Sequence, residues 1–164
     1  MNLKHRLHDE LNRLAKFASV GIPQLSMDIE ENNPREGRLE CTVTAVDQLA
    51  CAFEQLTFRT PKLDQATLDD LQRIAADLSR RLSYLLESIS PIETDREGCV
   101  VQMRSNPPQQ DDDGTSYYEL VARRGELSLC RYTKAGGQVR RHIPAMVTRE
   151  VFYRLAQDLS SAPK

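Results

Sequence analysis

Leu3, Leu7, Leu11 and Leu14 recur at three- and four-residue intervals, and Ala18 completes the row, while Lys4, Arg6, Asp9, Glu10, Arg13 and Lys16 fill the other faces. This spacing predicts an amphipathic helix over 3–18, with Gly21 and Pro23 as stop signals beyond it. Residues 26–37 are polar and acidic, with Pro34 and Gly37, and read as a loop. The pattern then changes period. Leu39, Cys41, Val43 and Ala45 alternate with Glu40, Thr42 and Thr44, which predicts a half-buried strand over 38–46. Asp47-Gln48 reads as a tight turn. A second strand over 49–59 begins with Leu49, Cys51 and Phe53 on one face and ends with Leu56 and Phe58 on the other parity, so a bulge is expected near Glu54-Gln55.

The clearest periodicity follows Thr60-Pro61. Leu68, Leu71, Ala75, Leu78, Leu82, Leu85 and Ile89 keep a strict 3-4 spacing. It predicts one helix of about six turns that ends before Pro91. Thr67 and Asp70 form its expected capping pair. Such a stripe serves either as a coiled-coil seam between subunits or as the face that covers a sheet, and Ile74 and Leu86 widen it toward the second reading. Residues 93–97 read as a charged loop, 99–104 as a strand and 106–114 as a loop. Three strands over 115–123, 126–133 and 138–143 are joined by Arg124-Gly125 and Ala135-Gly136-Gly137, the signature of an antiparallel meander. Thr148 caps a last helix over 148–159. The expected class is α+β: one domain over 1–164, element order α-β-β-α-β-β-β-β-α, with an antiparallel sheet of five to six strands.

Composition adds a core constraint. Aromatics are 5% of the 164 residues and Trp is absent, so the core must be mostly aliphatic. The net charge of -2 is unevenly divided. Residues 115–164 hold nine Lys/Arg against four Asp/Glu, a local +5, which leaves -7 for residues 1–114. No apolar run reaches the roughly 20 residues of a membrane span. Charges interrupt the first ten residues too often for a signal peptide, so the cytoplasm is the expected location. Cys41, Cys51, Cys99 and Cys130 lack metal-ligand spacing and read as reduced, buried thiols.

Candidate chemistry is thin. Asp111-Asp112-Asp113 does not alternate as a calcium loop requires and reads as a solvated loop tip. His5 and His8 share a helix face but nominate no third ligand, and no motif points to a cofactor. A Cys130–His142 pair would be needed for a thiolate nucleophile. No nucleophile elbow or phosphate-binding loop occurs. The basic late segment is the most functional-looking feature: Arg123, Arg124, Arg131, Lys134, Arg140 and Arg141, interleaved with Tyr117, Tyr118 and Tyr132. These six cations are the candidate contacts for a partner or a polyanion. Adjacent Arg140 and Arg141 point to opposite faces of a strand, which argues against one shared surface.

The size, mild acidity and helix–sheet–helix order resemble the small dimeric secretion chaperones of type III systems. The likeness rests on element order across most of the chain, and no residue is carried over from it. It implies a homodimer or a protein partner. The expected function is therefore a non-enzymatic protein-interaction module. The alternatives are a nucleic-acid-binding domain that uses the basic meander, and an uncharacterised enzyme.

Overall fold

The leucine row at the start of the chain forms α1 (Leu3–Phe17), and Leu3, Leu7, Leu11 and Leu14 are all buried. The structure is a computed structural model that describes residues 2–17, 24–29 and 36–163, with backbone alone for 24–29. Ala18, Gly21 and Pro23 lie outside the described residues. After α1 come β1 (Gln24–Ile29), β2 (Gly37–Val46) and β3 (Ala50–Arg59), then α2 (Leu68–Arg81). Strands β4 (Ile89–Asp95), β5 (Val100–Ser105), β6 (Gln109–Asp111), β7 (Gly114–Arg123), β8 (Glu126–Lys134), β9 (Arg141–Ile143) and β10 (Ala145–Thr148) follow, and α3 (Arg149–Ser161) closes the chain. The fold is α+β with N-terminal, central and C-terminal helices.

All strand pairs are antiparallel and belong to one sheet of order β1-β2-β3-β8-β7-β5-β4. β10 pairs with β3, β6 with β7 and β9 with β8. Register decides which residues share a face. Cys41, Leu56, Leu129, Leu120 and Met103 form one continuous rung across five strands, and Leu39, Phe58, Leu127, Ala122 and Val101 form the next. All ten are buried, in one core with the stripes of α1, α2 and α3. The intervening rungs are mostly polar: Glu40, Thr57, Ser128, Val121 and Gln102, then Thr42, Gln55, Cys130, Glu119 and Arg104. The sheet thus has a helix-covered face and an open face. The expected irregularity falls in the β2–β3 pair, where Thr42 opposes Gln55 and Val43 opposes Phe53, which leaves Glu54 unpaired.

Ten strands replace the five to six that alternation predicts. The additional ones are β1, β4, β6 and β10. β4, β6 and β10 are short or polar, whereas β1 alternates Leu25, Met27 and Ile29 with polar residues, a signal hidden by the acidic, Pro-containing stretch that follows it. Residues 24–29, expected mostly as loop, pair with Gly37–Thr42. Pro91 sits in β4 at the end of the sheet order, where a missing N–H is tolerated, and the β4–β5 register shifts just after it. The last predicted strand shortens from 138–143 to β9.

The central helix is also shorter than its heptad pattern. It stops at Arg81, a 3-10 turn spans Leu82–Leu85, and Leu86 takes a left-handed conformation with φ 63°. A 3-10 turn stacks residues three apart, so Leu82 and Leu85 still reach the core, and Ile89 does so from β4. Leu86 is turned out to solvent instead of widening the stripe. Thr67 and Asp70 make the predicted capping box. Asp47 builds the β2–β3 turn by accepting from the N–H groups of Leu49 and Ala50, both at 2.8 Å. Buried Arg149 ties this turn to the helices, donating to the Asp47 carbonyl at 2.8 Å and to Asn12 Oδ1 at 2.7 Å.

Replacing Thr67 by Ala should lower the unfolding free energy by about 1 kcal/mol, read by urea denaturation with an unchanged m-value. Stability should also fall at both pH extremes. Backbone N–H groups hold the Asp47 and Asp70 carboxyls below their ordinary range. Their contribution is present above the unfolded value and is lost as pH falls through about 4. Burial pushes the Cys41 thiol up, and the Cys51 thiol up to about 12. The neutral thiols stabilise the fold fully below about pH 8.5, and that contribution is lost as pH rises toward the folded values. Thermal melts between pH 3 and 11 test both limbs. Replacing Cys51 by Ala should flatten the alkaline one.

Candidate functional site

Two recesses flank the β7–β8 pair, one on each side of the sheet. The first lies on the helix-covered side, where α2 gives way to β4. Tyr118 on β7 and Arg131 on β8 are direct partners across the ladder, so both point to this side. Arg131 Nη1 donates to Glu87 Oε2 at 2.8 Å, and its Nη2 donates to Gln109 Oε1 at 3.1 Å. The guanidinium lies 4.5 Å from the centre of the Tyr118 ring. Both ion-pair side chains are largely out of water, at 10% and 15% exposure. Burial raises the Tyr118 phenol above its ordinary value. Glu87 Oε1 is buried and accepts no hydrogen bond within the protein. A buried carboxylate oxygen without a donor is costly.

This pair floors a recess of about 700 Å³ whose walls include Leu85, Leu86, Pro107, Pro144 and Met146. Leu86 is 91% exposed and Met146 is 79% exposed. Among the described residues, Leu86 and Cys99 are the two non-glycine positions with left-handed backbone. Cys99 has a local reason: it is buried, and its thiol donates to the Ala66 carbonyl at 3.6 Å. Leu86 has no packing partner that would offset its conformation, which disfavours a side chain by about 1 to 2 kcal/mol.

The second recess opens on the other face. Arg104 on β5 and Glu119 on β7 are ladder partners, and Arg140 reaches the same carboxylate from the segment before β9. Arg140 Nη1 donates to Glu119 Oε2 at 2.5 Å, and Arg104 Nη2 lies 3.4 Å from that oxygen. Each guanidinium also covers an aromatic ring: Arg140 lies 3.9 Å from the centre of Tyr132, and Arg104 lies 4.5 Å from that of Tyr117. His142 packs on the Tyr132 ring at 4.3 Å. Burial works against the charge on Arg140, but its bonds to Tyr117 and Glu119 outweigh this and hold its pKa above the ordinary value. Burial likewise pushes the Tyr132 phenol up to about 12. The cleft above these groups measures about 910 Å³.

The six cations singled out from sequence do not form one surface. Lys134 and Arg140 line the open-face cleft together. Arg131 is buried on the opposite side. Arg123 lies 3.7 Å from Glu126 at the far end of the open face. Arg124 donates to the Ala66 carbonyl beside α2 at 3.0 Å, and Arg141 is an exposed residue of β9. Sequence reasoning missed Glu87, Leu86, Arg104 and Glu119. Glu119 had a signal, since it is the one charge in the run Tyr117–Ala122. Arg104 and Glu87 have none without the register.

The remaining chemical candidates stay apart. Cys130 opposes Glu119 whereas His142 opposes Tyr132, and burial raises the Cys130 thiol, the reverse of nucleophile activation. His8 contacts Tyr153 Oη at 3.1 Å, so it serves the contact between α1 and α3. Asp111 accepts from the Asp113 N–H at 2.9 Å and shapes the β6–β7 turn. Among the described residues no three His, Cys, Asp or Glu side chains gather as a metal site, and no helix is long and apolar enough to cross a membrane. The stripe of the central segment, expected as a subunit seam or as the face that covers a sheet, is covered within the chain. The chain matches no family model, no curated protein and no solved structure.

Proposed function

We propose that this chain is a non-enzymatic protein-interaction module, and that the recess between Leu86 and Met146 receives a segment of the partner. The observation that carries the reading is Leu86. A large apolar side chain stands almost fully in water, on backbone that favours Gly or Asn. The left-handed turn itself ends the 3-10 turn, with the Leu86 N–H donating to the Ser83 carbonyl at 3.1 Å, but that role asks for Gly or Asn and gives no reason for an exposed leucine. Unfavourable backbone kept at an exposed apolar residue points to a role outside the chain. Met146 faces the same recess, so the apolar surface is shared rather than a lone exposed leucine.

The floor sets the partner's chemistry. Arg131 is already satisfied by Glu87 and Gln109, whereas Glu87 Oε1 needs a donor. The fitting segment places an apolar side chain against Leu86 and Met146 and brings an N–H or ammonium group to Glu87. Burying the apolar anchor supplies the affinity, and the hydrogen bond supplies orientation. A negatively charged segment is disfavoured, because it would add charge beside an unpaired carboxylate oxygen.

Selection of binders from a random peptide library displayed on phage tests this reading. The expected result is a consensus with one apolar residue next to Lys, Arg or an extended N–H. Affinity of that peptide should drop at least about tenfold in Met146→Lys, and should not change in Val139→Lys on the other side of the sheet. Selection without a consensus contradicts the proposal. So does a consensus peptide that binds Met146→Lys as tightly as the unaltered protein.

A further inference from the structure

The open-face cleft is independent of that recess and has a different chemistry. Its walls carry Arg104, Lys134 and Arg140 and no carboxylate. Glu119 lies beneath them, buried at 4% exposure, and a single one of its oxygens takes both arginines. Two guanidinium charges therefore share one carboxylate, and Lys134 adds a third cation at the mouth. Arg104 Nε is buried and donates to no acceptor. Three cations around a single buried carboxylate leave surplus positive charge in the cleft, which specifies an anion.

The geometry adds a second requirement. Each guanidinium lies over a tyrosine ring, and about a third of each side chain stays exposed. The ring beneath and the shared carboxylate hold both planes in fixed orientation. A guanidinium held in this way leaves exposed surface for a planar ligand, and arginines stack nucleobases. Tyr117, Tyr132 and His142 continue the layer, with the two tyrosine centres 5.9 Å apart. Asn106 and Gln138 add amides that read hydrogen-bonding edges. The space, about 910 Å³, exceeds what one phosphate needs and accommodates a phosphate together with a ring.

We infer that this cleft binds a nucleotide unit, with the phosphate against Lys134 and the exposed part of the Arg104 guanidinium and the base over the Arg104–Arg140 pair. The unit is either a free mononucleotide or one residue of a single-stranded nucleic acid, which share this chemistry. Glu119 is a positioning residue, since it orients both arginines and repels a phosphate that enters too deeply.

Calorimetric titration with AMP, adenosine and inorganic phosphate, together with fluorescence anisotropy of a labelled short oligothymidylate, tests the inference at low and high salt. AMP or the oligonucleotide should saturate one site, and adenosine should bind at least about tenfold more weakly than AMP. Lys134→Glu, at an exposed position with no structural task, should weaken binding roughly tenfold, and Arg104→Gln should do so at least as strongly. Arg141→Glu, outside the cleft, should leave affinity unchanged, as should Met146→Lys, so this result is read separately from the peptide selection. Tighter binding of the oligonucleotide with a steep loss in salt assigns the unit to a strand, and equal or tighter binding of AMP assigns it to the free nucleotide. Three results overturn the inference. These are no saturable binding of either probe, binding indifferent to Lys134→Glu and Arg104→Gln, or adenosine bound as tightly as AMP.

Discussion

The pairing of β3 with β8 is the joint on which the molecule depends. It brings residues 55–59 against residues 126–130 across the longest sequence interval of any pairing within the main strand order. On its covered side Leu56 meets Leu129 and Phe58 meets Leu127, all buried. On its open side Arg59 bridges Glu40 and Glu126. The exposed pairs add little energy. The apolar rungs provide the free energy, because they place two meanders under one helical layer and create a single core. Without this joint the N-terminal strands with α1 and the later strands with α2 would each leave a bare apolar face.

The same joint explains where the two recesses fall. β3 occupies the edge of β8 only as far as Cys130. Beyond that point β8 continues to Lys134 together with β7, and only short β9 covers its edge. This end of the ribbon is flanked by the short strands β6 and β9, and both of its faces carry chemistry. Tyr118 and Arg131 face the end of α2, and Tyr117, Tyr132 and Glu119 face the opposite way. A two-residue period therefore separates the recess at Leu86 and Met146 from the arginine-lined cleft built on the same two strands.

Much of the architecture was legible in the sequence, because apolar period reports burial directly. The stripes of α1, α2 and α3, the alternation of β2, the parity switch at Glu54 and the hairpin at Arg124-Gly125 all follow from it. β4, β6 and β10 escaped because they depend on a neighbour's free edge, which no local pattern records, while β1 did alternate, at Leu25, Met27 and Ile29, but only over six residues before a polar stretch. Leu82, Leu85 and Ile89 show a subtler limit. Their spacing is helical and their burial is real, yet they reach the core from a 3-10 turn and a strand, because period records which residues are buried and not which backbone delivers them. The site was less legible still. Six cations drew attention by number, but only Lys134 and Arg140 share a surface. The partners that give them chemistry, Arg104 and Glu119, are set by register across three strands. Glu87 looked like one more polar residue at a helix end.

The account rests on the claim that Leu86 is kept where it is for a partner rather than for the fold. Replacing it by Gly separates the two directly. The denaturant midpoint and the affinity for the selected peptide are then measured on the same preparation. The account predicts that unfolding becomes harder by roughly 1 kcal/mol, since Gly adopts this backbone freely and an exposed leucine contributes no packing. Peptide affinity should fall at least about tenfold in the same variant. A lower midpoint, or affinity that does not change, would contradict the claim.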